Sequence, residues 1–483
     1  MKKFNLLSIV ALLTVGLATS CGGPADKPGP GEDSNPENTT VKVSFWHTFG
    51  KSIVTELTKK MDNFEKYIEK RDNINLEISQ HYQGGYDDLV DKMIKAYGTG
   101  QTPTITVAYP DHVANYLEIA DDFVIDLNDY FTHETLGFAA DETLNPSLKG
   151  AEDFVPAFLE EGTKYLVEGT YSLPLMKSTE VMLYNKDIVS TVLRDMGIQK
   201  GVENYMNNIT WTEFFDMCEF IKNNKEKYGL KGSDAYPLYY DSDSNLFISQ
   251  SFQRNIDFID VVNGKGEFLF DNTEARNLVE EINNLYKDGI MITKGVNKGK
   301  YGSDAFKLNK ALFVVGSSGG TGYSDPGVSF DVGVCKFPTY KDIPEERQKY
   351  VTQGVTLALL NNKSINAKEN ELAVQYGWEF MKYITNEENN IDLSLNSEGY
   401  IPVRESCYEN EIYQEYLSES DYMPKVASVV INEINGNYIN YPVFKGTDVA
   451  RDQVGAIVTQ YLLGKKTLDV AFKDAINQCG KQS

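Results

Sequence analysis

Histidine is scarce. The 483 residues include only four, His47, His81, His112 and His133, all in the first third of the chain. None stands at HExxH or a comparable spacing, so metal catalysis has little support. Cysteine is as thin: Cys21, Cys218, Cys335, Cys407 and Cys479 are far apart. With no CxxC pair, a zinc ribbon or a thioredoxin-type centre has no basis, and the last four are either buried thiols or partners in a disulfide. Positive charge is short, with 46 Lys and Arg against 70 Asp and Glu, a net −24. That balance argues against nucleic acid and against direct attraction to anionic lipid. After the first twenty residues no apolar run approaches the ~20 residues of a membrane span. The glycine-rich Gly316 to Gly322 lacks GK[ST] at its end, which removes a nucleotide-hydrolysing loop. Asp241-Ser-Asp243-Ser-Asn245 begins like a calcium loop, but Leu246 and Phe252 stand where glycine and glutamate are needed. No metal and no cofactor are expected.

What is present begins at the N-terminus. Met1-Lys2-Lys3, an apolar Leu6 to Leu17, the small Ala18-Thr19-Ser20 and then Cys21 form a secretory signal with a cleavage site. A Pro, Gly, Asp, Glu and Asn-rich stretch follows to Thr40, a composition that cannot bury a core and reads as a tether. The order resembles a bacterial lipoprotein export signal, which implies a lipidated Cys21, although Leu17 sits one place further from the cysteine than usual. Cleavage near Ser20 without lipid is the alternative. Either way the protein is expected to be exported, and with lipid it is held at the outer face of the cytoplasmic membrane or in the periplasm.

The remaining ~440 residues suffice for two sizeable domains. Val41 to Phe45, Asn75 to Ser79 and Thr104 to Ala108 read as strands, and Lys51 to Ile68 and Tyr86 to Tyr97 as helices between them. This rhythm indicates parallel β-α-β units, whose ligands meet the loops leaving the carboxyl ends of strands. Trp46-His47 and Tyr109-Pro110-Asp111 occupy such loops. Extended segments at Ser172–Tyr184, Lys310–Val315, Phe330–Val334 and Val355–Leu360 continue the pattern. Helices follow at Thr212–Asn223 and Glu371–Thr385, with two more between Val449 and Gln478. Strands spread over the whole length without a later Pro/Gly linker predict two α/β lobes with more than one crossing.

Tyrosine is abundant, at 30 residues. Tyrosine and tryptophan faces stack on sugar rings while a polar tip keeps a hydrogen bond. Trp46 is placed either as a stacking platform or as a core plug beneath the first loop, and His47 is read as a loop hydrogen-bonder rather than a base. A secreted glycan-active enzyme stays open on spacing alone, since glycosidase carboxylates need no local motif.

The order of motifs resembles the extracellular solute-binding proteins of ABC importers, the group with maltose- and glycerol-3-phosphate-binding members. The likeness runs from about Val43 to Ala475. It is carried by Phe45-Trp46-His47, Gly85-Tyr86-Asp87, Ser172-Leu-Pro174 with Leu183 to Asp187, and Thr210-Trp-Thr-Glu-Phe214. Asp331 to Val334 with Phe337-Pro338, Trp378 to Ile384, Gly399 to Arg404 and Gly464 to Thr467 complete it. The resemblance implies the two-lobed periplasmic-binding-protein fold with several hinge crossings. Lobe one would then hold 41–178 and 355–400, and lobe two 179–354 and 401–483. It also implies a binding protein, not an enzyme, expected as a monomer that delivers its solute to ABC permease subunits.

Within that family the glycerol-3-phosphate-binding branch is nearest. Its ligand residues fall on Tyr86, Ser178, Ser318, Gly354, Tyr400 and Arg451, its cleft glutamate one place from Asp111, and its tryptophan-rich segment near Tyr240. Pro110, Gln353 and the absence of those tryptophans depart from the branch. The departures favour a sugar or oligosaccharide over glycerol-3-phosphate or a glycerophosphodiester.

Overall fold

The computed structural model describes residues 40–481. The export signal, Cys21 and the tether to residue 39 lie outside the described residues, while Thr40 opens the first strand. Among the described residues twelve strands are formed: β1 (Thr40–His47), β2 (Asn75–Tyr82), β3 (Ile105–Ala108), β4 (Leu173–Asn185), β5 (Leu238–Tyr240), β6 (Ile259–Val262), β7 (Lys265–Phe268), β8 (Met291–Thr293), β9 (Phe313–Ser317), β10 (Val332–Lys336), β11 (Tyr350–Leu359) and β12 (Tyr438–Ile439). The helices that matter for the site are α1 (Lys51–Asp72), α2 (Tyr86–Thr99), α3 (Pro110–Leu117), α4 (Pro156–Glu160), α5 (Trp211–Asn223), α6 (Asp243–Gln253), α7 (Thr273–Lys287), α8 (Ala367–Ile384), α9 (Thr447–Leu462) and α10 (Leu468–Cys479).

Local chemistry explains the elements. In α1 the buried Ile53, Leu57, Met61, Phe64 and Ile68 recur at three- and four-residue spacing, one face of a helix. Asn73 ends it in the left-handed region at φ 55°. Thr210 and Glu213 close a reciprocal cap at the start of α5. Ser242 caps α6, so the aspartate run around it initiates a helix.

The main sheet runs in the order β2-β1-β3-β11-β4-β9-β5-β8, with β10 on β4 and β12 on β11. β1, β2 and β3 are parallel, as are β5, β8 and β9. The first half of β4 pairs with β11, and its second half pairs with β9 and β10. All 13 residues of β4 are buried. The three points where the chain is expected to cross lie side by side: Lys177 pairs with Gly354 on one flank and Ile401 on the other. The register slips by one residue between Val355 and Thr356, a bulge that twists the strand locally. Lys177 is buried, and its ammonium forms an ion pair with Glu161 just beyond α4. Cys218, Cys335, Cys407 and Cys479 are all buried free thiols. Among the described residues no helix is long and apolar enough to cross a membrane.

Candidate functional site

Two adjoining chambers, of about 690 Å³ and about 750 Å³, open where several strands end. Both are lined by Tyr86, Tyr109, Asn245, Lys294, Tyr301 and Gln353. Tyr86 follows β2, Tyr109 follows β3, Asp241 follows β5 and Ser317 ends β9, so carboxyl ends of strands supply the lining, as open α/β sheets dictate.

One wall comes from α2 and α3. Tyr86 is the first residue of α2, and its ring lies 4.4 Å from that of Tyr109, centroid to centroid. The four buried residues of β3 fix the chain up to Ala108, Tyr109 caps α3, and Pro110 takes its first position, where no amide hydrogen is missed. Asp111 sits in the first turn, where the helix dipole favours a carboxylate, and accepts the His112 N–H at 2.9 Å. Burial pushes the phenols of Tyr86, Tyr109 and Tyr400 upward, so at neutral pH all three remain hydrogen-bond donors.

The opposite wall is a relay of polar side chains. Tyr240, fully buried behind the lining, donates to Glu180 at 2.8 Å. Asn245 donates to the other Glu180 oxygen at 3.1 Å and accepts from Arg451. Burial pushes the Glu180 carboxyl up to about 7 against those hydrogen bonds and against the Arg451 charge. Asp241 is likewise lifted by burial to about 7, although the Gly302 N–H donates to it at 2.6 Å.

The structure brings together Tyr86, Asp111, Tyr400 and Arg451 on the chamber walls. Ser178 is buried behind them and shares a 3.2 Å hydrogen bond with Ser317, which does line the chamber. The Ser318 hydroxyl turns inward to accept the Thr179 N–H at 3.2 Å. Gly354, at φ 97°, packs on the backbone of Met176 and Lys177 while its neighbour Gln353 faces the cleft. Trp46 lies in β1 opposite His81 and Thr106, half-buried against the core. His47 is buried beside Phe49, whose N–H it accepts at 3.1 Å, and burial lowers its imidazole to about 4. Neither Trp46 nor His47 lines a chamber. Tyr109, placed by the sequence in a ligand-meeting loop, lines both chambers, and Glu180, Asn245, Tyr301 and Gln353 complete the walls without having been read as ligand residues. The other four carried no local signal, whereas Tyr109 stands just after a β-branched strand.

Residues 60–418 match the family model of the bacterial extracellular solute-binding proteins. The chain belongs to that family. A solute-binding relative, the sn-glycerol-3-phosphate-binding periplasmic protein UgpB of Escherichia coli K12, is 22% identical over 448 residues, 90% of this chain and 91% of the relative. Among solved structures the chain resembles the GacH receptor of Streptomyces glaucescens, solved unliganded and with acarbose (TM-score 0.63, 17% identity, 92% and 98% of the two chains). It also resembles UgpB of Mycobacterium tuberculosis in complex with glycerophosphocholine (TM-score 0.64, 15% identity, 91% and 97%). The solute-binding fold is thus two-lobed, as the sequence resemblance implied. In this member the chambers lie between the β2-β1-β3 end of the sheet and the β9-β5-β8 end.

Proposed function

We propose that this protein is the substrate-binding lipoprotein of an ABC importer. It captures a sugar or oligosaccharide between its lobes and hands it, as a monomer, to the permease. The supporting observation is the close, tilted pair of Tyr86 and Tyr109 rings at the junction of two large chambers, with Tyr400 nearby and amide, hydroxyl and carboxylate groups around them. Aromatic faces with polar tips suit pyranose rings, and buried polar groups select a ligand that pairs with each of them. The lobe boundaries follow the sequence reading, so that β4, β11 and the segment at Ile401 act together as a hinge and the lobes close on the solute. Binding, with no bond made or broken in the solute, is the activity.

Glycerol-3-phosphate is the second reading, favoured by the likeness to the two UgpB proteins and by Arg451, which faces the smaller chamber with no carboxylate within 4 Å among the described residues. Carboxylates outnumber cations on both chamber walls, which weighs against a dianion.

A thermal-shift screen of sugars, polyols and phosphorylated polyols tests the proposal. A ligand at ~100 times its dissociation constant is expected to stabilise the fold by roughly 2.7 kcal/mol and to be recovered unchanged. Tyr86→Ala and Tyr400→Ala should each abolish that shift. Release of reducing sugar at enzyme-like rates, lost on mutating one carboxylate, would replace binding with hydrolysis.

The lipid anchor has its own test. One acyl chain holds a protein at only ~10⁴ M⁻¹, so the several chains of a lipoprotein cysteine are required. Cys21→Ser is expected to move the protein from the membrane fraction to the soluble fraction with an unchanged melting temperature. Unchanged fractionation sinks the anchor.

A further inference from the structure

If the cleft is the solute site, the charge at one end of it specifies the solute further. The smaller chamber is walled by Asp87 in the first turn of α2, Asp111 in the first turn of α3, and Asp448 and Asp452 one turn apart on α9. Helices α2 and α3 stand at the β2-β1-β3 end of the sheet, whereas α9 packs on α6, α7 and α10. The two carboxylate pairs therefore come from opposite sides. Asn115 of α3 ties them together: it donates to Asp448 at 2.8 Å and accepts the Gly446 N–H at 3.2 Å.

No cation among the described residues is paired with the four, and the Arg451 charge only partly offsets Asp452. Among the described residues no Lys or Arg nitrogen lies within 4 Å of any of them, and Asp111 has only the His112 ring, at 3.9 Å. Asp91, one turn on from Asp87, also lines the chamber without an ion pair among the described residues, whereas Glu161 is paired with Lys177 and Lys164 with Glu160. Arg451 is held by Asn245, and the Lys294 ammonium rests 3.9 Å from the centre of the Tyr301 ring. Five further atoms of the lining side chains lack partners, Thr352 Oγ1, Gln353 Oε1 and Asn440 Oδ1 among them. His112 lines the chamber, is only 6% exposed, and its Nδ1 has no hydrogen bond; one Asp448 oxygen is shielded from solvent and equally unpaired. Orphaned buried polar atoms are rare in native proteins and point to a partner from outside the chain. That partner is not a compact metal ion, because no three His, Cys, Asp or Glu side chains among the described residues are placed to hold one.

We propose that the solute is an amino sugar whose protonated amine is received by Asp87, Asp111, Asp448 and Asp452 as the lobes close. An ammonium group offers three donors and no acceptor, so it can satisfy carboxylates from both walls at once. The π faces of Tyr86 and Tyr109 next to it add attraction for a cation. A phosphate dianion in the same place meets more like charge than the Arg451 cation offsets. Desolvation, with the charges of Asp87, Asp111 and Asp448, pushes the Asp452 carboxyl up to about 6 against the Arg451 charge, and burial with the charge of Asp111 raises Asp448. Closing the empty cleft crowds these charges, and a bound amine relieves them, which gives the closed state its differential affinity for the charged solute.

Calorimetric titration of the full exported chain decides the matter. The probes are glucosamine, its disaccharide, the N-acetylated forms of both, maltose and glycerol-3-phosphate. The amines are expected to bind at least tenfold tighter than their acetylated counterparts, with a preference that shrinks as salt is added. Asp452→Asn, which loses no side-chain hydrogen bond, and Asp448→Asn should each lower that amine-to-acetyl preference at least fivefold. Acetylated or neutral sugars binding as tightly as the amines, or a preference untouched in both variants, overturns the proposal and leaves the saccharide reading standing. Binding of glycerol-3-phosphate alone, or of no probe, overturns both.

Discussion

Replacing Gly354 with alanine is expected to destabilise the protein by on the order of 3 kcal/mol or more, measured by urea unfolding. Its φ of 97° is strained for any residue with a Cβ, a cost of roughly 1–2 kcal/mol. The new methyl would also sit 2.4 Å from the Met176 carbonyl oxygen and 2.7 Å from the Lys177 Cα. These are backbone atoms of the adjacent strand, so relief requires moving β4 itself, and overpacking of this kind adds about 1–3 kcal/mol. The site should suffer with the fold, since shifting these strands displaces the adjacent Gln353 from the chamber wall. A loss under 1 kcal/mol with unchanged ligand affinity would show that the strands tolerate the shift and that the glycine is there for another reason.

Arg404→Met is expected to cost about 3–5 kcal/mol, the usual penalty for removing one member of a buried pair. Arg404 is completely buried, stacked 4.2 Å from the Phe154 ring centre, and donates to the carbonyls of Thr385 and Gly150 and to Asp153 at 3.3 Å. Truncation strands Asp153 inside the protein with only the Ser406 bonds and the half-exposed Lys149 ammonium, 3.6 Å away. Adding Asp153→Asn should recover part of the loss, because the orphaned charge is then gone. Additive losses in the double variant would mean that the two side chains are not coupled.

Arg404 also shows what the sequence could convey. It ends Gly399-Tyr-Ile-Pro-Val-Arg404, one of the segments that carried the family resemblance, yet that segment mixes two duties. Tyr400 faces the cleft, Gly399 at φ 123° brings its backbone against the Ser318 carbonyl, and Arg404 is a structural bolt in the core. A motif marks a place in the fold; which of its side chains reaches the solute depends on a one-residue alternation that only the pairing fixes. Hence Gln353 faces the chamber and Gly354 does not, and Ser317 lines it while Ser318 turns away.

The long elements were legible because their periodicity is. The strands expected at Val41, Asn75 and Thr104 form within a residue or so of those positions, and both C-terminal helices stand on either side of Gly464. β5 and β8, three residues each, fall below the length at which alternation can be read, and both are wholly buried, which removes the alternation as well. β11 starts five residues before its expected Val355, because the polar Thr352 and Gln353 look like a loop in sequence but line the cleft from within a strand. The acidic surplus was visible as a net charge of −24, but its concentration on three helices around one chamber is a product of topology.

The place of β11 in the sheet bears on how the chain acquires its structure. It lies between β3 and β4, although more than 160 residues separate it in sequence from the end of β4. A chain made from its N-terminus can therefore form β1, β2 and β3 as a local unit early. It can build around β5, β8 and β9 as a second unit, but the gap between them stays open until residue 359 has emerged. Pairings of such long sequence separation are slow to close. Under the proposed export this delay is an asset: the strand that completes the sheet is among the last to arrive.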